Sequence, residues 1–120
     1  MSYKTGVRKT SAIASCIAAA TPVALYNLSA GRTCTPKKIH VHNGNPANTI
    51  VQIGTGLGGL FAQQIANILC VPGMDLEMRE EDIVGVEFTA NITVQATVAA
   101  AAPNNVTVQV EVEEYQGPTG

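Results

Sequence analysis

The sequence predicts an all-β protein, an antiparallel β-sandwich of about seven or eight strands with an N-terminal arm, on three observations. Apolar residues stand at almost every even position from Val84 to Val112, short apolar runs upstream are separated by turn signals, and neither an internal repeat nor a linker divides the chain.

The even set is Val84, Val86, Phe88, Ala90, Ile92, Val94, Ala96 and Val98, then Val106, Val108, Val110 and Val112 after a loop at 99–105. Successive strand side chains point to opposite faces, so this period of two reads as a long hairpin with its even positions buried. The odd positions, Thr93 among them, then form the wet face.

Upstream, residues 1–10 read as a basic arm and 11–120 as a single sandwich domain. Stretches 12–20 and 23–28 are strand candidates broken by Thr21-Pro22, though their Ala content equally permits a helix. Ser29-Ala30-Gly31-Arg32 reads as a turn. From Lys37 to His42 the chain alternates, with Ile39 and Val41 on one face and His40 and His42 on the other. Asn43-Gly44-Asn45-Pro46 is a turn, because Asn and Gly accept positive φ and Pro cannot continue a ladder. Residues 48–53 resume the sheet, 60–66 admit a helical turn, and the apolar run 65–71 is stopped by Pro72-Gly73.

Composition limits what this fold can bury. A chain of 120 residues has room for one domain, and with Ala at sixteen positions and only five aromatic residues its core is thin. Such a chain gains by burying a second face against a neighbour. Cys16, Cys34 and Cys70 form no CxxC pair and read as small buried apolar residues in a reducing compartment. The N-terminus imitates an export signal, with Lys4, Arg8 and Lys9 ahead of an apolar stretch, but only Ile13 and Ile17 in that stretch are large. No apolar run reaches the roughly 18 residues that would span a bilayer, so no membrane partner is expected.

Charge is segregated along the chain. Six of the seven basic residues (Lys4, Arg8, Lys9, Arg32, Lys37, Lys38) lie in the first 38 positions, and every acid comes from position 75 onward. The net charge of −2 therefore conceals a basic half and an acidic half. Either the two face each other within one subunit, or the basic arm of one copy lies on the acidic surface of the next. The candidate assembly contacts are Lys4, Arg8, Lys9, Lys37, Lys38, Glu80, Glu81 and Asp82. Three arm charges and one Tyr are too few for a nucleic-acid groove.

Three further motifs invite a site. Gly54-Thr55-Gly56-Leu57-Gly58-Gly59 fits the dinucleotide pattern GxGxxG, and Asp75 lies 21 residues beyond Gly54, where a ribose-binding acid would stand. The chain after Asp75 is too short for the rest of a doubly wound sheet, so the stretch reads as a structural loop. His40 and His42 share a strand face and would suit a metal on a symmetry axis, but a third ligand is not near in sequence. The acids Asp75, Glu77, Glu80, Glu81 and Asp82 lack the glycine-spaced loop of a calcium site and read as a solvated turn or a docking surface. No catalytic residue, cofactor or metal is assigned.

The basic arm, the KKIHVHNGN stretch leading into the glycine-rich loop, and the valine-alternating close ending in VEVEEY together resemble the small jelly-roll or sandwich decoration (cement) proteins on the capsids of tailed bacteriophages. The resemblance implies a jelly-roll-like sandwich in the virion: a non-enzymatic structural protein that binds a major capsid protein and copies of itself, in a homo-oligomer such as a trimer, and reinforces the shell. It carries over no functional residue. The alternative is a carbohydrate-binding sandwich. That reading would require Tyr26 and Tyr115 exposed in one groove, since the chain has no Trp. An enzyme built on the glycine loop would require a helix starting at Gly58 with its N-terminus open.

Overall fold

The structure, a computed structural model, describes residues 6–16, 19–83, 86–97 and 106–116. Ten strands follow one another there, more than the sequence predicts: β1 (Gly6–Thr10), β2 (Ala14–Cys16), β3 (Val23–Tyr26), β4 (Arg32–Asn43), β5 (Thr49–Thr55), β6 (Ala62–Gln63), β7 (Ile68–Cys70), β8 (Asp75–Arg79), β9 (Ile92–Ala96) and β10 (Val106–Gln116). They form two antiparallel sheets. In the first, β1 and β2 lie end to end along one side of β10, whose other side holds β4 and then β8. In the second, β9 lies between β3 and β5, and β6 and β7 pair with the far side of β5.

The alternation specifies burial correctly at most of its described positions, Ala90 and Thr93 excepted, and pairing incorrectly. Phe88, Ile92, Val94, Ala96 and all four valines from Val106 to Val112 are buried in one cluster with Ile39, Val41, Val51 and Ile53. Yet β9 and β10 do not form a hairpin, because they belong to opposite sheets. Parity says which side chains point inward, and inward-pointing residues can meet across a core as well as side by side. Val84, Val98 and the loop at 99–105 lie outside the described residues. Ala90 is exposed, and Phe88 joins the first sheet instead through reciprocal backbone bonds with Cys34 of 2.8 and 3.0 Å.

Part of the expected arm is a strand. Gly6 to Thr10 pair with Tyr115 to Glu111 along the edge of the first sheet. The segment crosses from β1 to β2 at Ser11, whose backbone N–H donates to Val110 O at 2.8 Å while its hydroxyl accepts from Val110 N at 3.0 Å. The side chain replaces a carbonyl that the kinked backbone no longer presents. β8 is another unforeseen strand, as is the short β6: in β8, Asp75, Glu77 and Arg79 point outward while Leu76 and Met78 pack against the core. A strand whose exposed face is wholly charged reads from sequence as a solvated turn.

Two local devices fix the strand path. Between Glu111 and Val112 the register against β4 slips by one, leaving Lys37 as the extra residue of a bulge. Beyond it the inward set of β4 changes from Cys34 and Pro36 to Ile39 and Val41. At the turn read from Asn43 to Pro46, the buried Asn43 amide donates to Cys70 O at 3.0 Å and to Ala47 O at 3.2 Å, and its oxygen accepts from Asn45 N at 2.9 Å. This staples the corner where the chain passes from β4 in one sheet to β5 in the other. The helical turn expected at 60–66 is absent: a 3-10 turn at Gly58–Leu60 precedes it and β6 occupies Ala62–Gln63, with a second 3-10 turn at Glu80–Asp82.

Candidate assembly surfaces

The basic and acidic halves of the sequence meet within one subunit. β10 lies between β1 and β4, so its glutamates stand opposite both basic segments. Arg8 contacts Glu111 at 2.6 Å, Lys9 contacts Glu114 at 2.9 Å, and Lys38 lies 3.7 Å from Glu77 on β8. The bulge turns Lys37 toward Glu80 at 2.8 Å and Glu113 at 3.3 Å. Of the other candidates, Asp82 accepts from the backbone N–H of Arg79 at 3.1 Å, Glu81 is exposed, and Lys4 lies outside the described residues. Pairs between exposed side chains such as Arg8 and Glu111 are worth about 0 to 1 kcal/mol each. The hydrogen bond to Glu80 raises the Lys37 pKa, and the hydrogen bond from Tyr115 lowers that of Glu113.

Glu114 is the residue that sequence reasoning passed over. It is 1% exposed. Its oxygens take the Tyr26 hydroxyl at 2.9 Å and the Lys9 ammonium at 2.9 Å, with Arg32 at 3.6 Å. Burial pushes its carboxyl up most strongly, but the hydrogen bonds from Lys9 and Tyr26, the Lys9 charge and a backbone bond from Ser29 together hold it below the ordinary range. Burial and the bond to Glu114 together raise the Tyr26 phenol. The signal was present, since position 114 continues the even, inward parity of Val106 to Val112.

The remaining motifs resolve as structure. His42 Nδ1 lies 2.8 Å and His40 Nε2 3.6 Å from the same Asp75 oxygen on an exposed face. No cluster of three His, Cys, Asp or Glu among the described residues could hold a metal. After β5 the glycines lead into a three-residue 3-10 turn and then antiparallel β6, so the βαβ setting of a dinucleotide fingerprint is replaced by a β-corner. Thr93, expected on the wet face, is 2% exposed because its hydroxyl donates to Gly56 O at 2.8 Å and the loop folds over it. Tyr26 is buried and Tyr115 donates to Glu113 at 2.8 Å, so the two do not make an exposed sugar-stacking pair.

Of the clefts that the described residues form, two lie beside the candidate residues and the glycine loop. One of about 410 Å³ is lined by Thr35, Lys37, Glu80, Ile83 and Tyr115, where Lys37 is already held by two carboxylates. The other, of about 440 Å³, lies beside the glycine loop between Ala24, Asn27, Leu57, Leu60 and Asn91 and has no ionisable group on its walls. Cys16, Cys34 and Cys70 are all free and fully buried, and burial pushes their thiols up, to about 11 for Cys16 and about 12 for Cys34.

No protein-family model matches the chain, and no curated protein does. Among solved structures the fold is similar to a chain from Bacillus endospore appendages, described as a novel family of disulfide-linked pili. The match covers 97% of this chain and 92% of that one, with a TM-score of 0.53 and 14% sequence identity.

Proposed function

We propose that this chain is a non-enzymatic structural subunit that associates with its own copies. The observation that carries the reading is the end-to-end fold likeness to a chain drawn from pili, which are polymers. Exposed apolar side chains support it. Leu57, Leu60, Leu69 and Val71, with Val7 on β1 and Ile13 just before β2, face solvent in the single subunit.

The association is non-covalent in our reading. The likeness is to disulfide-linked pili, but every thiol here is buried and so withheld from a neighbour. A surface appendage or shell built from repeated copies is the form we favour. Decoration of a phage capsid, with a major capsid protein as second partner, is the finer alternative implied by the sequence resemblance.

Light scattering coupled to size exclusion, with negative-stain microscopy of the same sample, tests this. Species at multiples of 12.5 kDa, or filaments, are expected. A protein that stays at 12.5 kDa up to millimolar concentration refutes the reading.

A further inference from the structure

The two sheets differ completely in charge. Every strand of the second sheet lies in a stretch free of Asp, Glu, Lys and Arg (10–31, 39–74 or 88–110), whereas the strands of the first carry eleven such residues. Burial within the subunit accounts for Thr93, which the glycine loop covers, but not for the rest of the face. Val51 and Ile53 point into the core, so Ile50 and Gln52 on the same strand face outward, and Leu69, paired opposite Ile50, is 60% exposed.

What covers that outer face is an amide ladder. Gln95 donates to its cross-strand partner Gln52 at 2.7 Å, Gln52 donates to Asn67 at 3.3 Å, and Gln63 donates to the same Asn67 oxygen at 2.6 Å. Ile50 and Leu69 flank it.

We propose that this uncharged outer face of the second sheet is the surface on which a second copy of the chain packs, face against face. A surface that meets only water loses nothing by carrying Lys or Glu, and ordinary soluble surfaces mix both. A surface that becomes buried is poor in them, because a desolvated charge without a partner is destabilising, and interface centres are correspondingly depleted of Lys, Glu and Asp. The same surface indicates the occupant. An acidic or basic partner finds no charge to read, whereas primary amides carry a donor and an acceptor each, so the ladder complements an inverted copy of itself without like-charge repulsion. The charged first sheets then lie on the outside of the pair and keep it in solution.

This rests on the self-association proposed above, and the test separates the two. Wild type, Leu69→Lys, Gln52→Lys and the control His40→Lys, which adds a charge to the exposed face of the first sheet, are compared by sedimentation velocity over a concentration series. Circular dichroism verifies that each is folded. The expected result is an assembling wild type and control, with dissociation constants for Leu69→Lys and Gln52→Lys raised about tenfold or more. An assembling wild type that Leu69→Lys and Gln52→Lys leave unchanged overturns this face and leaves self-association standing. Dispersal by His40→Lys alone assigns the contact to the first sheet and also overturns it. A wild type that is monomeric throughout removes the self-association reading and this proposal with it.

Discussion

The Tyr26 hydroxyl on β3 donates to Glu114 on β10 at 2.9 Å, a side-chain bond that joins the two sheets inside the sandwich. Lys9 at the edge holds the second oxygen of the same carboxylate. With Arg32 of β4 at 3.6 Å, one buried charge thus ties four strands together. Tyr26→Phe leaves a lone pair of that carboxylate unmatched and is expected to cost about 1 to 3 kcal/mol in urea unfolding. Arg8→Met, which breaks a half-exposed pair, should cost under about 1 kcal/mol. Equal losses would mean that the inter-sheet bond adds nothing beyond surface charge.

Acid should weaken the fold through the same residue. Glu114 has its pKa held below the ordinary carboxylate range when folded. The native state therefore binds its proton less readily than the unfolded chain, and the stabilisation is complete above the unfolded value and lost as pH falls through the depressed one. The unfolding midpoint should be level down to about pH 5 and decline below it. Glu114→Gln should lower the plateau and flatten part of the decline. An undiminished slope in that variant would assign the acid sensitivity to other carboxylates.

The glycine loop should respond to alanine as a structural corner. A Cβ at Gly54 would run into the Ala62 carbonyl, and one at Gly56, where φ is +85°, into that of Leu60. Both substitutions are expected to cost more than about 2 kcal/mol. Gly59 has open space and an ordinary φ, so Gly59→Ala should be nearly neutral. Thermal melts of the three variants give the ranking, and a costly Gly59→Ala would show that the loop serves something other than this packing.

Thiol labelling tests the burial of all three cysteines. Each is fully buried with its pKa raised, so a disulfide reagent at pH 8 should modify none in the native protein within minutes and all after denaturation. Rapid native reaction of Cys16 would show that the N-terminal edge opens readily.

Layering was legible in the sequence and neighbourhood was not. Val106 to Val112 and Ile92 to Ala96 announce their inward parity, because the period of two is a property of each strand alone. Which strands pair depends on where the connections lead, and nothing in the alternation distinguishes a hairpin from two strands facing each other across a core. Arg8 and Lys9 concealed β1 for a related reason: their partners Glu111 and Glu114 lie about a hundred residues away. Asp75, Glu77 and Arg79 concealed β8, whose inward Leu76 and Met78 give too short an alternation to stand out. Glu114 itself was readable by position and overlooked by chemistry, since a buried carboxylate is tolerated only with partners that the linear sequence does not display.

The pairing of β1 with β10 orders events in time. The strands of the second sheet are all translated by residue 96, whereas β10, which joins β1 and β2 to β4, comes from residues 106 to 116. On the ribosome the uncharged half of the sandwich can therefore assemble while the charged half still lacks the strand that holds it together. Until residue 116 leaves the exit tunnel, only the β4–β8 pair of the first sheet can stand opposite the apolar inner side of the second. Slow translation through the last third would lengthen that half-covered interval for each newborn subunit, so a synonymous change there would act on folding without altering a single contact.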